Sequence, residues 1–96
     1  MKRSTMYKVL ESVADVFDVT VDDMLGKRRH HHLVLARTAA TKILYEEFDL
    51  PLKEVSRLMR KEDRMAFHYK KLADEFIEQK SWRLRLFESK HLLTHG

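Results

Sequence analysis

Apolar residues recur at helical spacing on both sides of a short polar break, and this pattern constrains the fold more than any other feature. Before the break, steps of three and four after Pro51 place one stripe on a single helix face. That stripe consists of Leu52, Val55, Leu58 and Met59. After the break at residues 60–63, a second stripe consists of Met65, Tyr69, Leu72, Ala73 and Phe76. Two short amphipathic helices joined by a tight turn are typical of a helix-turn-helix, which we predict over about residues 51–73.

The second of these helices carries cations on the face opposite its apolar stripe. Arg64, His68 and Lys71 follow one another at i, i+4 and i+7, so they share one side of the helix. Asp63 stands where its carboxylate can cap the helix by accepting from backbone N–H groups of the first turn. A helix of this kind suits the major groove of DNA. Similar helix pairs also occur in small all-α domains that bind no DNA, so the rest of the chain has to decide.

Composition indicates one small all-α domain over residues 1–96. Two glycines and one proline favour helices joined by short turns, and 44% hydrophobic residues suffice for a core. Because the chain has no cysteine, a disulfide framework, a thiolate metal site and a cysteine nucleophile are excluded. No apolar run approaches the roughly 18 residues of a membrane span, and the N-terminus is unlike a signal peptide. We therefore expect a cytoplasmic protein with no membrane partner.

The positive charge of the chain is concentrated in its middle. Residues 27–71 hold twelve Lys/Arg against six Asp/Glu, net +6, whereas residues 1–26 are net −2 and residues 72–96 are neutral. Such segregation is the electrostatic footprint of a polyanion-binding surface. The residues that we predict to contact double-stranded DNA are Lys27, Arg28, Arg29, His30, His31, His32, Arg37, Lys53, Arg57, Arg60, Lys61, Arg64, His68 and Lys71.

The densest cationic run, residues 27–32, follows directly after Gly26 and reads Lys-Arg-Arg-His-His-His. Three interpretations compete for this basic loop: a surface that contacts phosphates or a groove, a metal site, and a solvated turn. Three consecutive histidines cannot all point the same way, and no nearby carboxylate or cysteine completes a tetrahedral set. We favour nucleic acid, because such a loop can neutralise several phosphates and can place an arginine in a minor groove.

Three further helices are predicted before the helix-turn-helix. The first, capped by Ser4 or Thr5 and ending near Asp18, buries Met6, Val9, Leu10, Val13 and Phe17. A short helix over residues 21–25 starts at a pattern that resembles a capping box, Thr20 with Asp23, and is closed by Gly26.

Residues 32–48 predict a long central helix against which the others pack, since its alanines permit close approach. One side carries Leu33, Ala36, Ala40, Ile43, Leu44 and Glu47, and the other sides carry Arg37, Thr38, Thr41, Lys42 and Tyr45.

A C-terminal helical extension over about residues 76–93 carries the apolar residues Phe76, Ile77, Trp82, Leu86 and Leu93. Two interpretations remain open for this stripe. It packs back onto the first helix as part of the core, or it forms the seam of a homodimer, since aromatic residues are enriched at interface centres.

The order of these elements resembles the C-terminal DNA-binding domain of the bacterial replication initiator DnaA, in the Trp-repressor-like helix-turn-helix superfamily. The matching pieces are residues 13–19 with 23–25, Lys27-Arg28-Arg29-His30, Arg37-Thr38-Ala39-Ala40, and Leu50-Pro51-Leu52-Lys53-Glu54-Val55-Ser56. The similarity covers roughly residues 9–73. It implies that Arg29 enters the minor groove and that the basic loop and the supporting helix hold phosphates.

The departures from that family fall in the recognition helix. The family's glycine-containing turn and its base-reading Asp-His-Thr-Thr are absent, because Asp63 is followed by Arg64, Met65 and Ala66. An alignment without gaps would turn Lys70, Lys71 and Asp74 inward. A turn shorter by two residues instead puts Met65 in the apolar position and Tyr69 and Leu72 on the stripe, and we prefer it because burying unpaired charges is costly.

These patterns favour a non-catalytic double-stranded-DNA-binding protein, a regulator of transcription or replication. The alternative is an interaction module that keeps the fold but docks on a protein partner such as the replication machinery. No Ser/His/Asp set, carboxylate pair or metal cluster stands out, and a GxxxxGK[ST] phosphate loop is absent. We therefore predict neither a catalytic residue nor a metal or cofactor.

Overall fold

The computed structural model describes residues 3–95, and the side chain of Arg3 is not described. Within that range the chain forms six α-helices. They are α1 (Arg3–Val16), α2 (Val21–Leu25), α3 (His31–Glu46), α4 (Leu52–Leu58), α5 (Met65–Phe76) and α6 (Lys80–His95). The all-α prediction is confirmed. None of the described helices is long and apolar enough to cross a membrane.

Helix α3 is the axis of the domain, as predicted, and α1, α2, α4, α5 and α6 all pack against it. Alanines 36, 39 and 40 are fully buried, which allows the neighbouring helices to approach closely. Thr38 and Thr41 were predicted to lie away from the apolar side of this helix, but both are buried. Burial is tolerated because the Thr38 hydroxyl donates to the Leu35 carbonyl and the Thr41 hydroxyl donates to the Arg37 carbonyl, each at 2.8 Å.

Helices α1 and α6 pack against each other on one side of α3. Trp82 and Leu86 are buried, and the Trp82 Nε1–H donates to the carbonyl of Leu35 in α3 at 3.1 Å. Trp82 and Leu86 are therefore core residues, and Phe76, Ile77 and Leu93 are partly buried against the core. The cap predicted at Ser4 or Thr5 is wrong, because both residues lie inside α1.

Helix α2 begins as predicted. Thr20 is its N-cap, and the Thr20 hydroxyl accepts from the Asp23 N–H at 3.0 Å. Gly26 ends the helix, with its N–H donating to the Asp23 carbonyl at 3.2 Å. Its φ of −82° is accessible to any residue, but an added Cβ would lie 3.3 Å from the Asp22 carbonyl oxygen. Glycine therefore avoids a tight contact that the Cβ of any other residue would make here.

Helices α4 and α5 form the predicted helix-turn-helix. Arg60 adopts a left-handed backbone with φ of 58°, which turns the chain out of α4 without a glycine. The predicted cap at Asp63 is wrong, because Arg64 is the N-cap of α5 and makes no side-chain capping bond. The side chain that caps α5 is that of buried Ser56 in α4. Its Oγ accepts from the Ala66 N–H at 2.8 Å and donates to the Asp63 carbonyl at 2.9 Å.

The inward face of α5 shows which register is adopted. Ala66, Tyr69 and Ala73 are buried, while Lys71 and Asp74 are exposed. This is the pattern of the shorter turn. The ungapped alternative is contradicted by the exposure of Lys71 and Asp74, and half-buried Lys70 has its Nζ 3.8 Å from the Asp74 carboxylate.

Candidate nucleic-acid interface

The basic loop is held in place by one buried arginine. Arg37 of α3 is only 2% exposed, and its guanidinium donates to four backbone carbonyls. Nε donates to Met24 at 2.9 Å, Nη1 to Arg28 at 2.7 Å, and Nη2 to Asp23 at 2.9 Å and to Gly26 at 3.0 Å. The prediction that Arg37 contacts DNA is therefore corrected, because its donors are committed inside the protein. It fixes the path of the chain from α2 into the loop.

A second contact ties the loop to the helix-turn-helix. Lys61, in the turn between α4 and α5, donates from its Nζ to the Gly26 carbonyl, which also accepts from Arg37. Burial lowers the pKa of the Lys61 ammonium, and the nearby positive charge of Arg37 adds to that effect. The turn is therefore tied to the loop at the Gly26 carbonyl. The Lys61 ammonium that makes this contact is partly buried, which costs free energy.

Between the loop and the start of α5 lies a concave cleft of about 360 Å³. It is lined by Lys27, Arg29, Arg37, Arg60, Lys61, Glu62, Arg64, Met65 and Tyr69. Cations from the loop, the turn and the N-terminal end of α5 thus converge on one surface. Five predicted contact residues that lie up to 37 positions apart are brought together here: Lys27, Arg29, Arg60, Lys61 and Arg64.

The aromatic side of this cleft is formed by Tyr69, which the sequence marked only as a core residue. Burial raises the pKa of its hydroxyl, while the charges of Arg37 and Arg29 act in the opposite sense. Tyr69 therefore stays a neutral hydroxyl beneath the cations. Its place in the cleft follows from its position on the inward stripe of α5, one turn beyond Met65.

The outer face of α5 projects into solvent. The Arg64 side chain is 84% exposed and its Nε lies 3.1 Å from the Glu62 carboxylate, while His68 and Lys71 are exposed one and two turns further on. Phe67 lies on the same face and is 58% exposed. Phe67 is not among the predicted contact residues, although its position three residues after Arg64 indicates that it lies on this face.

The cations of α4 are partly neutralised. The Arg57 Nε donates to the Asp63 carboxylate at 3.1 Å, and the Lys53 Nζ lies 3.9 Å from the same group. The bond to Asp63 raises the pKa of Arg57 and lowers the pKa of Asp63. Arg57 and Lys53, which were predicted to contact DNA, therefore lie at the edge of the cationic surface and are already paired with the Asp63 carboxylate.

The three histidines of the predicted loop lie at the start of α3. His30 is the N-cap of α3, and His31 and His32 form its first turn, so the irregular loop is shorter than the predicted 27–32. Arg28, His30 and His32 line a separate hollow of about 320 Å³ together with Asp18 and Asp23. In the part of the chain that the structure describes, no group of three His, Asp or Glu side chains is placed to hold a metal ion.

In the part of the chain that the structure describes, five helices pack around α3, and a cation-lined cleft lies at the start of α5, the second helix of the α4–α5 pair. These features define a helix-turn-helix domain. The sequence profile described as bacterial DnaA protein helix-turn-helix matches residues 6–70, well over half of the chain. The protein therefore belongs to the DnaA helix-turn-helix family of DNA-binding domains.

Two curated relatives carry the name chromosomal replication initiator protein DnaA, one from Acholeplasma laidlawii and one from Acholeplasma laidlawii strain PG-8A. Each is 32% identical to this chain over 56 residues. The match covers 58% of this chain but only 13% and 12% of the two relatives, respectively. The chain thus corresponds to about an eighth of their length. No solved structure gives a significant match.

Proposed function

We propose that this protein binds double-stranded DNA with α5 in the major groove and the basic loop against the adjacent minor groove. The observation that carries the proposal is the cation-lined cleft, where Lys27 and Arg29 of the loop meet Arg60 of the turn and Arg64 at the N-cap of α5. Recognition helices dock with their N-terminal residues deepest in the groove. A phosphate backbone between the two grooves would pass along this cleft.

Within this arrangement the side chains divide by role. Arg29 enters the minor groove, as the family resemblance implies, and Arg64 is placed to reach a base edge. Lys27, Arg60 and Lys61 neutralise phosphates, while His68 and Lys71 reach phosphates further along α5. Phosphate contacts position the protein and base contacts supply specificity, so the two groups should respond differently to sequence.

The biological role that we propose is regulation of transcription or replication by a non-catalytic, cytoplasmic DNA-binding protein. The relatives are named as replication initiators, which favours a site on the chromosome as the target. Arg64, Met65 and Ala66 stand where the family resemblance expects other base-reading residues, so the target sequence differs from that of the family.

The proposal is tested with a triple variant of the cleft, Lys27→Gln, Arg29→Gln and Arg60→Gln. Binding to a fluorescent duplex should weaken strongly and its salt dependence should become shallower by about one unit of log–log slope per lost phosphate contact. The matched control removes three cations from α6 by Lys80→Gln, Arg83→Gln and Arg85→Gln, and should bind almost as the unaltered protein does. Equal losses in the two variants would show that only net charge matters and would refute the cleft as the site.

A second candidate function is docking on a protein, either a partner such as the replication machinery or a second copy of this chain. The observation that favours it is a pair of exposed apolar side chains on the outer face of α6, Leu84 at 51% and Phe87 at 70% exposure. Sedimentation velocity distinguishes the cases. If the unaltered protein is a homodimer through this face, Phe87→Glu should dissociate it without loss of monomer stability. If the unaltered protein is a monomer at all concentrations, a second copy is ruled out and a different protein remains as the partner.

A further inference from the structure

Phe67 occupies an unusual position for a large apolar side chain. It is 58% exposed in the first turn of α5, between Arg64 three residues before it and Lys71 four residues after it. His68 is its neighbour on the same exposed face. The acidic Asp74 and Glu75 lie in the last turn of the helix, away from the cleft. An exposed phenyl ring thus lies between Arg64 and Lys71 on the outer face of the helix, near the end that docks deepest.

An aromatic ring on this face has few partners of matching chemistry in DNA. Base edges in the major groove present hydrogen-bond donors and acceptors, apart from the 5-methyl group of thymine, which is apolar. Phe67 lies one helical turn from Arg64. Arg64 can therefore contact one base pair while the phenyl ring of Phe67 contacts a neighbouring base pair. Arg64 and Lys71 on the same exposed face favour this polyanionic partner over an apolar protein surface, which would have to desolvate them.

We propose that Phe67 is a specificity-determining residue that contacts the 5-methyl group of a thymine in the major groove. The inference rests on the proposed function and deepens it, because it names a base that the recognition helix selects. It assigns apolar readout to Phe67, whereas Arg64 supplies the polar readout. The protein then prefers sites that contain a thymine within one or two base pairs of the base read by Arg64.

The test uses the unaltered chain and a duplex enriched from a random library by that chain. Each thymine of the enriched duplex is replaced in turn by uracil, which removes the methyl group and leaves pairing and the O4 acceptor intact. Burial of one methyl group predicts a loss of about fourfold in affinity at the contacted position. Uracil at thymines outside the footprint should change nothing.

The same duplexes are then measured with Phe67→Ala and Phe67→Leu. Phe67→Ala should bind thymine and uracil duplexes equally, whereas Phe67→Leu keeps an apolar contact and should restore part of the discrimination. Tyr7→Ala is the matched control, an exposed aromatic of α1, which contributes none of the predicted DNA contacts. It should discriminate as the unaltered protein does. Circular dichroism confirms that each variant is folded.

The outcomes separate this inference from the function on which it rests. If the unaltered protein enriches no duplex, the proposed function and the role of Phe67 both fail. If it binds duplex but no thymine-to-uracil change matters, or if Phe67→Ala keeps full discrimination, DNA binding stands and the role of Phe67 is overturned. Unchanged affinity of Phe67→Ala for every duplex would place the ring outside the groove and would likewise overturn its role.

Discussion

At the scale of single residues, Arg37 shows how a buried charge is made tolerable. A guanidinium taken out of water costs free energy unless its donors are satisfied, and this one reaches four carbonyl oxygens of α2 and the loop. These carbonyls belong to the end of α2 and the residues after it, where helical partners run out. One side chain therefore completes the helix end and sets the direction of the basic loop.

Replacing Arg37 by Lys tests this positioning role. Lysine keeps the charge but lacks the planar fork, so most of the four bonds should be lost. We expect the free energy of unfolding to fall by about 2–4 kcal/mol, with a parallel loss of duplex affinity at temperatures where the variant is folded. The measurements are urea denaturation and fluorescence anisotropy. Unaltered stability together with weaker binding would indicate that Arg37 acts on DNA directly, contrary to its burial.

Arg64 provides the residue-scale test of base reading. An arginine in the first turn of a recognition helix can pair bidentately with a guanine edge, so Arg64→Ala should cost about 1–3 kcal/mol on the preferred duplex. The loss on a scrambled duplex should be much smaller, because that duplex does not present the guanine edge that Arg64 reads. The ion pair between Arg64 and Glu62 is exposed and weak, so it does not hold Arg64 away from DNA. Competition between the two duplexes measures the ratio. Equal losses on both would show that Arg64 holds phosphate only.

At the scale of the elements, the turn between α4 and α5 depends on Ser56. Its hydroxyl caps α5 and bonds the turn at Asp63, so Ser56→Ala leaves the buried Ala66 N–H without its partner. We expect a loss of about 1–2 kcal/mol in stability. Amide exchange of Ala66 should accelerate. Ser89→Ala is the matched control, since buried Ser89 bonds only within α6, to the Arg85 carbonyl, and should cost less.

The ion pair between α4 and the turn predicts a pH dependence. The bond from Arg57 holds the pKa of Asp63 below the ordinary value of 3.8. A depressed carboxyl pKa stabilises the fold above the unfolded-state pKa, and that contribution is lost as the pH falls through the folded-state pKa. Asp63→Asn should therefore flatten the stability curve below about pH 4. A curve that keeps its slope there would assign the titration to another carboxylate.

The elements follow from the sequence because apolar periodicity reports directly which face of each helix is buried. The caps do not follow in the same way. Asp63 and Ser56 are both good capping residues, and only the packing of α4 against α5 brings Ser56 to the helix end from ten positions away. Likewise, Arg37 lies in a cation-rich stretch that marks a DNA surface, and sequence alone does not distinguish a buried arginine from an exposed one.

At the scale of the whole molecule, charge and packing are segregated. Helices α1 and α6 pack on one side of α3 and carry the N- and C-terminal regions, whose charges are negative or balanced. The excess positive charge lies in residues 27–71, and its densest part is the loop at residues 27–29, where Lys27 and Arg29 line the cleft. Charge segregation was visible in the sequence. The convergence of residues 27–29 with residues 60–64 depends on the tertiary fold, because it joins segments separated by a long helix.

The central claim is that this cationic face binds duplex DNA through phosphates, and a salt titration of duplex affinity tests it most directly. A handful of phosphate contacts releases counterions, so the logarithm of the association constant should fall against the logarithm of salt concentration with a slope of about −3 or steeper. A flat slope, or no duplex binding at low salt, would contradict the claim.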